Sequence, residues 1–187
     1  MQNSIIICPI GSVNIEIPKY LGESLTNQCG LEYKISSTMG NPDYAYNKSR
    51  SQYNSKTILK RLIKNRSYNT LRLIGVTDVD IYVPILKYVF GLAQLEGHCA
   101  IISLYRLRPC FYDQPPNFNI LLDRAEKTII HEIGHTFGLT HCRKRSCVMY
   151  SSSRIEDTDL KKPCFCPTCN ELFKWHLTAV NQVNTGR

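Results

Sequence analysis

The chain has 187 residues, of which 43% are hydrophobic, 10% aromatic and 20% charged. That composition excludes a wholly disordered polypeptide and fits one folded unit, at most with a small appendage. No apolar run reaches the roughly 18 residues of a membrane span, so no membrane partner is expected, and the net charge of +8 points to acidic partners.

In chain order, Met1–Pro9 has neither a basic start nor a long apolar region. No secretory signal is therefore expected, and a cytoplasmic setting follows. Little chain precedes the first strand, so activation by removal of a long pro-segment is not expected. Ile5–Ile7 is a β-branched run that suits a buried strand. Tyr20–Gln28 reads as a short helix placed after Pro18 and ended by Gly30, and Glu32–Ser36 as a second strand. Met39–Ser55 is polar and tyrosine-rich and carries no period. Lys56–Arg66 places Ile58, Leu59, Leu62 and Ile63 at helical spacing with basic residues opposite. Those charges lack interleaved aromatics, so a solvated face is expected there and nucleic acid is not an expected partner.

Leu71–Val76 reads as a third strand. Tyr88–Leu95 and Cys99–Leu107 follow as an antiparallel pair turning at Glu96-Gly97. Pro109 and Pro115-Pro116 forbid regular structure locally. A long helix fits from Ile120 or Asp123 to Leu139, with Asp123-x-x-Glu126 resembling a capping box. Beyond Thr140 the chain turns polar and cysteine-rich without a clear period.

Nine cysteines are present, an odd number, and Cys142, Cys147, Cys164, Cys166 and Cys169 lie close together near the C-terminus. Clustered thiols with a Cys-x-x-Cys pair, in a chain without a signal, suit metal ligation better than a disulfide framework. Cys8, Cys29, Cys99 and Cys110 read as ordinary buried thiols.

The most informative passage is His131-Glu132-Ile133-Gly134-His135-Thr136-Phe137-Gly138-Leu139-Thr140-His141. At about 100° per residue, His131 and His135 fall within about 40° of one another on one helix face, with Glu132 on its flank. Ile129 and Ile133 lie roughly opposite, so the apolar stripe points to the core and the imidazoles outward. Two imidazoles so placed can grip one Zn²⁺ while the carboxylate reaches a water on it. A catalytic zinc takes a third protein ligand and keeps one open position. Gly138 lets the helix stop and the chain bend back, which brings His141 into reach as that ligand. His98 and His176 stand alone and read as surface or packed histidines. The whole pattern would arise by chance in roughly one chain in a hundred thousand of this composition.

This passage resembles the metzincin zinc peptidases at every fixed position of their extended histidine motif. By that resemblance Met149 is the Met-turn residue, an apolar floor beneath the imidazoles. The match is closer to the archaemetzincins, whose signature continues as Cys-x-x-x-x-Cys-x-Met and a later Cys-x-x-Cys, here Cys142 to Cys147-Val148-Met149 and then Cys166-Pro167-Thr168-Cys169. The resemblance implies a second, structural zinc on Cys142, Cys147, Cys166 and Cys169, with Cys164 an alternative for one of the downstream pair. Arg143, Lys144, Arg145, Lys161 and Lys162 stand near to offset its thiolate charge.

The resemblance further implies an α+β, metzincin-like fold in a single catalytic domain over 1–187. In it, a twisted mixed sheet with packed helices (1–138) ends in the active-site helix. An irregular, zinc-stapled part with the Met-turn (139–187) follows. Two Zn²⁺ per chain are expected, one catalytic and one structural. The expected activity is that of a zinc-dependent metallopeptidase acting on a peptide or protein substrate, with a zinc-activated water and Glu132 as general base and acid. A catalytically idle, zinc-stabilised binding module is the alternative. Tyr88–Leu95 is the expected edge for an extended substrate.

Overall fold

The computed structural model describes residues 4–67 and 70–185; Met1–Asn3 of the Met1–Pro9 segment lie outside them. The elements in order are β1 (Ile5–Ile10), α1 (Glu16–Cys29), β2 (Tyr33–Ile35), β3 (Tyr46–Asn47), β4 (Gln52–Asn54), α2 (Ser55–Asn65), β5 (Arg72–Thr77), β6 (Ile81–Tyr82), β7 (Gly91–Ala93), β8 (Cys99–Ser103), α3 (Phe118–Thr136), α4 (Ile155–Asp159) and α5 (Pro167–Thr185).

Five strands form the main sheet in the order β2-β1-β5-β8-β7. The first four run parallel, and β7 joins antiparallel at the edge, with Gly91 opposite Ile102 and Ala93 opposite Ala100. Parallel strands are covered on both faces, which is why β1, β5 and β8 read as nearly continuous apolar runs. Alternation then sorts their side chains. Ile5, Ile7, Ile74, Val76, Ala100 and Ile102 share a core with α1 and α3. Cys8, Ile10, Leu73, Cys99 and Ile101 share a second core with Ile58, Leu59 and Leu62 of α2. The mixed sheet with packed helices agrees with the α+β expectation.

Several element boundaries differ from the sequence reading, each for a local reason. α1 begins at Glu16, ahead of Pro18, because the first turn of a helix has no intrahelical partner for the missing N–H. α3 begins at Phe118, capped by Asn117, whose Oδ1 accepts from the Ile120 N–H at 3.1 Å. Asp123 and Glu126 are therefore interior and make no capping box. Asp123 pairs with Lys127 at 2.6 Å, while Glu126 accepts from the Tyr20 hydroxyl at 3.0 Å and Ser24 Oγ at 2.7 Å, tying α1 to α3.

Pro109 opens a short 3₁₀ turn, Pro109–Tyr112, where the sequence suggested no regular structure. Cys110, on that turn, is exposed, not buried as its residue type suggested. Met39–Ser55 contributes a 3₁₀ turn and two strands of a small sheet ordered β3-β4-β6. Two- and three-residue polar strands leave no period to read. Arg61 stacking over Tyr44 and Tyr46 against Tyr53 fix that segment through its tyrosines.

The part after Gly138, expected to be irregular, is so only in places. It also carries α4 and the 19-residue α5. Pro167 stands at the first turn of α5, and Phe173 is buried against Phe137 and Phe165, with ring centroids 4.9 and 4.8 Å away. α5 thus packs onto the end of α3. Its apolar period was obscured by the cysteines that overlap its start.

Candidate metal centre and cleft

α3 ends where the sequence required a bend. Gly138 adopts φ +87°, the Gly138 N–H donates to the His135 carbonyl at 3.0 Å, and the Leu139 N–H donates to the Gly134 carbonyl at 3.0 Å. This is a Schellman closure with glycine in the left-handed position. The chain reverses there, and His141 returns to the helix. The Glu96 N–H, from the β7–β8 turn, also donates to the His135 carbonyl at 3.0 Å, so the hairpin holds the last turn of α3.

One ring nitrogen from each of His131, His135 and His141 lies within 4.8 Å of the others. His131 Nδ1 faces the Val148 carbonyl at 2.8 Å and His135 Nδ1 faces the Leu139 carbonyl at 2.7 Å. A carbonyl only accepts, so both Nδ1 atoms carry hydrogen and both Nε2 atoms present lone pairs. Those Nε2 atoms are 3.1 Å apart. Two lone pairs held that close repel unless a cation lies between them, and the spacing matches an edge of about 3.3 Å for tetrahedral Zn–N bonds. Burial lowers the pKa of all three histidines, which keeps them neutral as ligands must be. The donor set fits zinc.

Of the two helix imidazoles, which the helical projection turns outward, His135 is partly exposed but His131 is buried. His131 is 8% exposed and Glu132 6%, because β7 and the segment around Ser151–Ser153 cover this face of α3. Between them runs a cleft of about 770 Å³, whose lining includes His131, Glu132, His135 and His141. Burial pushes the Glu132 carboxyl up to about 8, while the charge of Lys161 pulls it down. Burial in turn brings the Lys161 ammonium down to about 8.

Two glycines in the site escaped the sequence reading as functional positions. A Cβ on Gly91 would lie 2.6 Å from Glu132 Oε1, so the carboxylate rests against bare backbone of the edge strand. A Cβ on Gly134, between the two helix histidines, would overlap Met149 Sδ. The fully buried Met149 therefore packs directly beneath the histidine helix. A glycine permits such close approach, but which glycines face a neighbour is not displayed by a single sequence.

The sulfurs of Cys142, Cys147, Cys166 and Cys169 also lie within 4.8 Å of one another, and none is in a disulfide. Cys142 Sγ and Cys166 Sγ are 3.9 Å apart, close to the edge of about 3.8 Å for a tetrahedron of 2.3 Å Zn–S bonds. The Lys144 N–H donates to Cys142 Sγ at 3.4 Å and the Cys166 N–H to Cys147 Sγ at 3.3 Å, as thiolate ligands require. These donors fit a second, closed zinc site. Cys164 is exposed and outside the cluster; its carbonyl accepts from the Val148 N–H at 3.1 Å. The Cys142 N–H donates to the Met149 carbonyl at 2.9 Å, so the cluster and the floor of the histidine site share backbone. Lys161, grouped with the cluster by sequence proximity, lines the cleft, and its charge bears on Glu132 more than on Cys147.

His98 Nδ1 meets the Leu71 carbonyl at 3.3 Å and His176 packs beside Gly138, so neither joins the three-histidine group. Tyr150 does not line the cleft.

The sequence profile of peptidase family M54 matches residues 32–175. The archaemetzincin of Methanocaldococcus jannaschii is 47% identical over 165 residues, 88% of this chain and 89% of the relative. That of Pyrococcus furiosus is 39% identical over 175 residues, 90% of this chain and 91% of the relative. The crystal structure of the Methanopyrus kandleri archaemetzincin superposes with a TM-score of 0.82 at 32% identity, covering 94% of this chain and 96% of that one. The Archaeoglobus fulgidus archaemetzincin, solved complexed with malonate, gives 0.78 at 33% identity, covering 90% and 99%.

Proposed function

Because the chain belongs to peptidase family M54 with the archaemetzincins, it is a zinc metallopeptidase acting on peptides or proteins, and we propose that its catalytic centre is the three-histidine cleft with Glu132 as general base and acid. The observation that carries this reading is the convergence of three neutral imidazoles beside a carboxylate that no described side chain engages, all within one cleft. His131, His135 and His141 would hold the zinc. When bound, it supplies Lewis acidity that polarises a carbonyl and makes water more acidic.

Glu132 takes the proton of the attacking water and passes it to the departing amine. The Val148 and Leu139 carbonyls fix the tautomer and aim of His131 and His135. Gly91, lacking a side chain, leaves Glu132 free to face the reacting atoms. β7 is the sheet edge beside this cleft, so an extended peptide pairs with its free backbone groups, in accord with the expected Tyr88–Leu95 segment.

Cys142, Cys147, Cys166 and Cys169 hold the second, structural zinc in this reading, giving two per chain in one catalytic domain over 1–187. Four thiolates complete a tetrahedron and leave no position for water. Family membership supports the peptidase over an idle binding module. Among the described residues no helix is long and apolar enough to cross a membrane.

The test is a peptide-library digest with the wild type beside Glu132→Gln. Cleavage should fall by a factor of about 10² to 10⁴ in the variant, with zinc content unchanged. Undiminished cleavage by Glu132→Gln would remove Glu132 from the mechanism.

A further inference from the structure

We propose that Lys161 forms a carboxylate-recognition subsite of the cleft. The proposal rests on the reading that this cleft receives the peptide. A buried ammonium is normally paired, since leaving it without an acceptor costs more than the burial returns. Lys127, 5% exposed and lining the same cleft, follows that rule: it meets Asp123 Oδ2 at 2.6 Å and the Asp159 carbonyl at 3.4 Å.

Lys161 is equally buried, at 5% exposed, and lines the cleft as well. Yet among the described residues its Nζ has no hydrogen bond and no carboxylate within the 4.0 Å of an ion pair. Glu132 and Asp157 act on it only from beyond that distance. The Nζ is nevertheless not fully enclosed: it keeps accessible surface on the cleft, where a ligand can reach it.

An unpartnered cationic donor on the cleft matches an acceptor-only anion. A peptide offers that chemistry as a carboxylate, either its C-terminal group or an Asp or Glu side chain. The fold also keeps Lys161 in place. Arg124, buried in α3, grips Asp159 with two 2.7 Å bonds, which docks α4, and the Lys161 N–H donates to the Thr158 carbonyl at 3.3 Å directly after it. A donor fixed before the ligand arrives loses little freedom on binding.

The experiment uses the best-cleaved library peptide, remade with Glu or Gln at the positions flanking the cut and with a free or amidated C-terminus. Turnover is measured with the wild type, and binding by fluorescence anisotropy with Glu132→Gln, so the subsite is read independently of cleavage. A carboxylate form should be favoured about tenfold or more in both measurements. Preference for the free C-terminus identifies the terminal carboxylate as the ligand; preference for Glu over Gln identifies the side chain. Lys161→Met in each background should abolish the preference, and Lys161→Arg should restore part of it.

Equal treatment of all four peptides by the wild type would overturn the proposal, and that comparison needs no variant to fold. An equal loss for acidic and neutral peptides in Lys161→Met would overturn it too, by assigning Lys161 to Glu132 or to the fold. If Glu132→Gln still cleaves, the base assignment fails while the anisotropy series continues to decide the role of Lys161.

Discussion

Glu132 needs a neighbour without a side chain, and Gly91 provides it. A methyl group there would sit 2.6 Å from Glu132 Oε1, so the carboxylate would have to shift away from the edge strand. Gly91→Ala is therefore expected to lower kcat/KM by about 10²-fold, the scale of a displaced catalytic group, with both the zinc content and the fold kept. Peptidase assays with metal analysis and circular dichroism check this, and an unchanged kcat/KM would show that Glu132 tolerates the shift. Gly134 does the same service on the other side of α3, where Met149 fills the space a Cβ would take. The residues that hold the reacting groups apart are thus as informative as the groups themselves.

The element that decides the site is α3. It carries two histidines and Glu132, and arginines tie it to neighbouring elements toward both ends. Arg124 is buried and spans to Asp159 of α4 and to the Leu107 carbonyl at 3.1 Å, while Arg72 reaches the Thr136 carbonyl at 3.2 Å and stacks on Phe137. Removing the charge of Asp159 leaves a buried guanidinium partly unpaired. Asp159→Asn should accordingly destabilise the protein by about 2–4 kcal/mol, since one partner of this pair is itself half-exposed and the full cost of breaking a buried pair is not reached. Denaturant unfolding measures it. A loss below about 0.5 kcal/mol would place the pair with ordinary surface bridges.

On the scale of the whole molecule, the sheet carries the edge strand and α3, and the C-terminal segment closes the cleft from the other side. That segment runs from His141 through the cysteine cluster and Met149 to α4 and α5, and its backbone links the two candidate zinc sites through the bond from Cys142 to Met149. Metal analysis should return two zinc per chain for the wild type and one for Cys169→Ser. The variant should also lose thermal stability, because structural zinc contributes folding free energy directly. Two zinc ions retained by Cys169→Ser would exclude that thiol as a ligand.

The histidine motif, its helix and the bend at Gly138 were legible from the residues alone, because helical geometry places positions 131 and 135 together in any fold. The cysteine spacing likewise carried the family resemblance, and the apolar runs located β1, β5 and β8. Local sequence did not reveal α5, whose period begins among cysteines, or the cap at Asn117, since Asp123 offered an equally good local pattern. It also could not separate Cys164 from Cys166, two positions apart, or place Lys161 in the cleft instead of beside the thiolates. Those outcomes depend on which surfaces meet across long chain separations: α4 docked by Arg124, Met149 seated on Gly134, and Gly91 laid against Glu132. Neighbour spacing along a chain sets what a helix or strand presents, whereas packing between elements sets what each presented group faces.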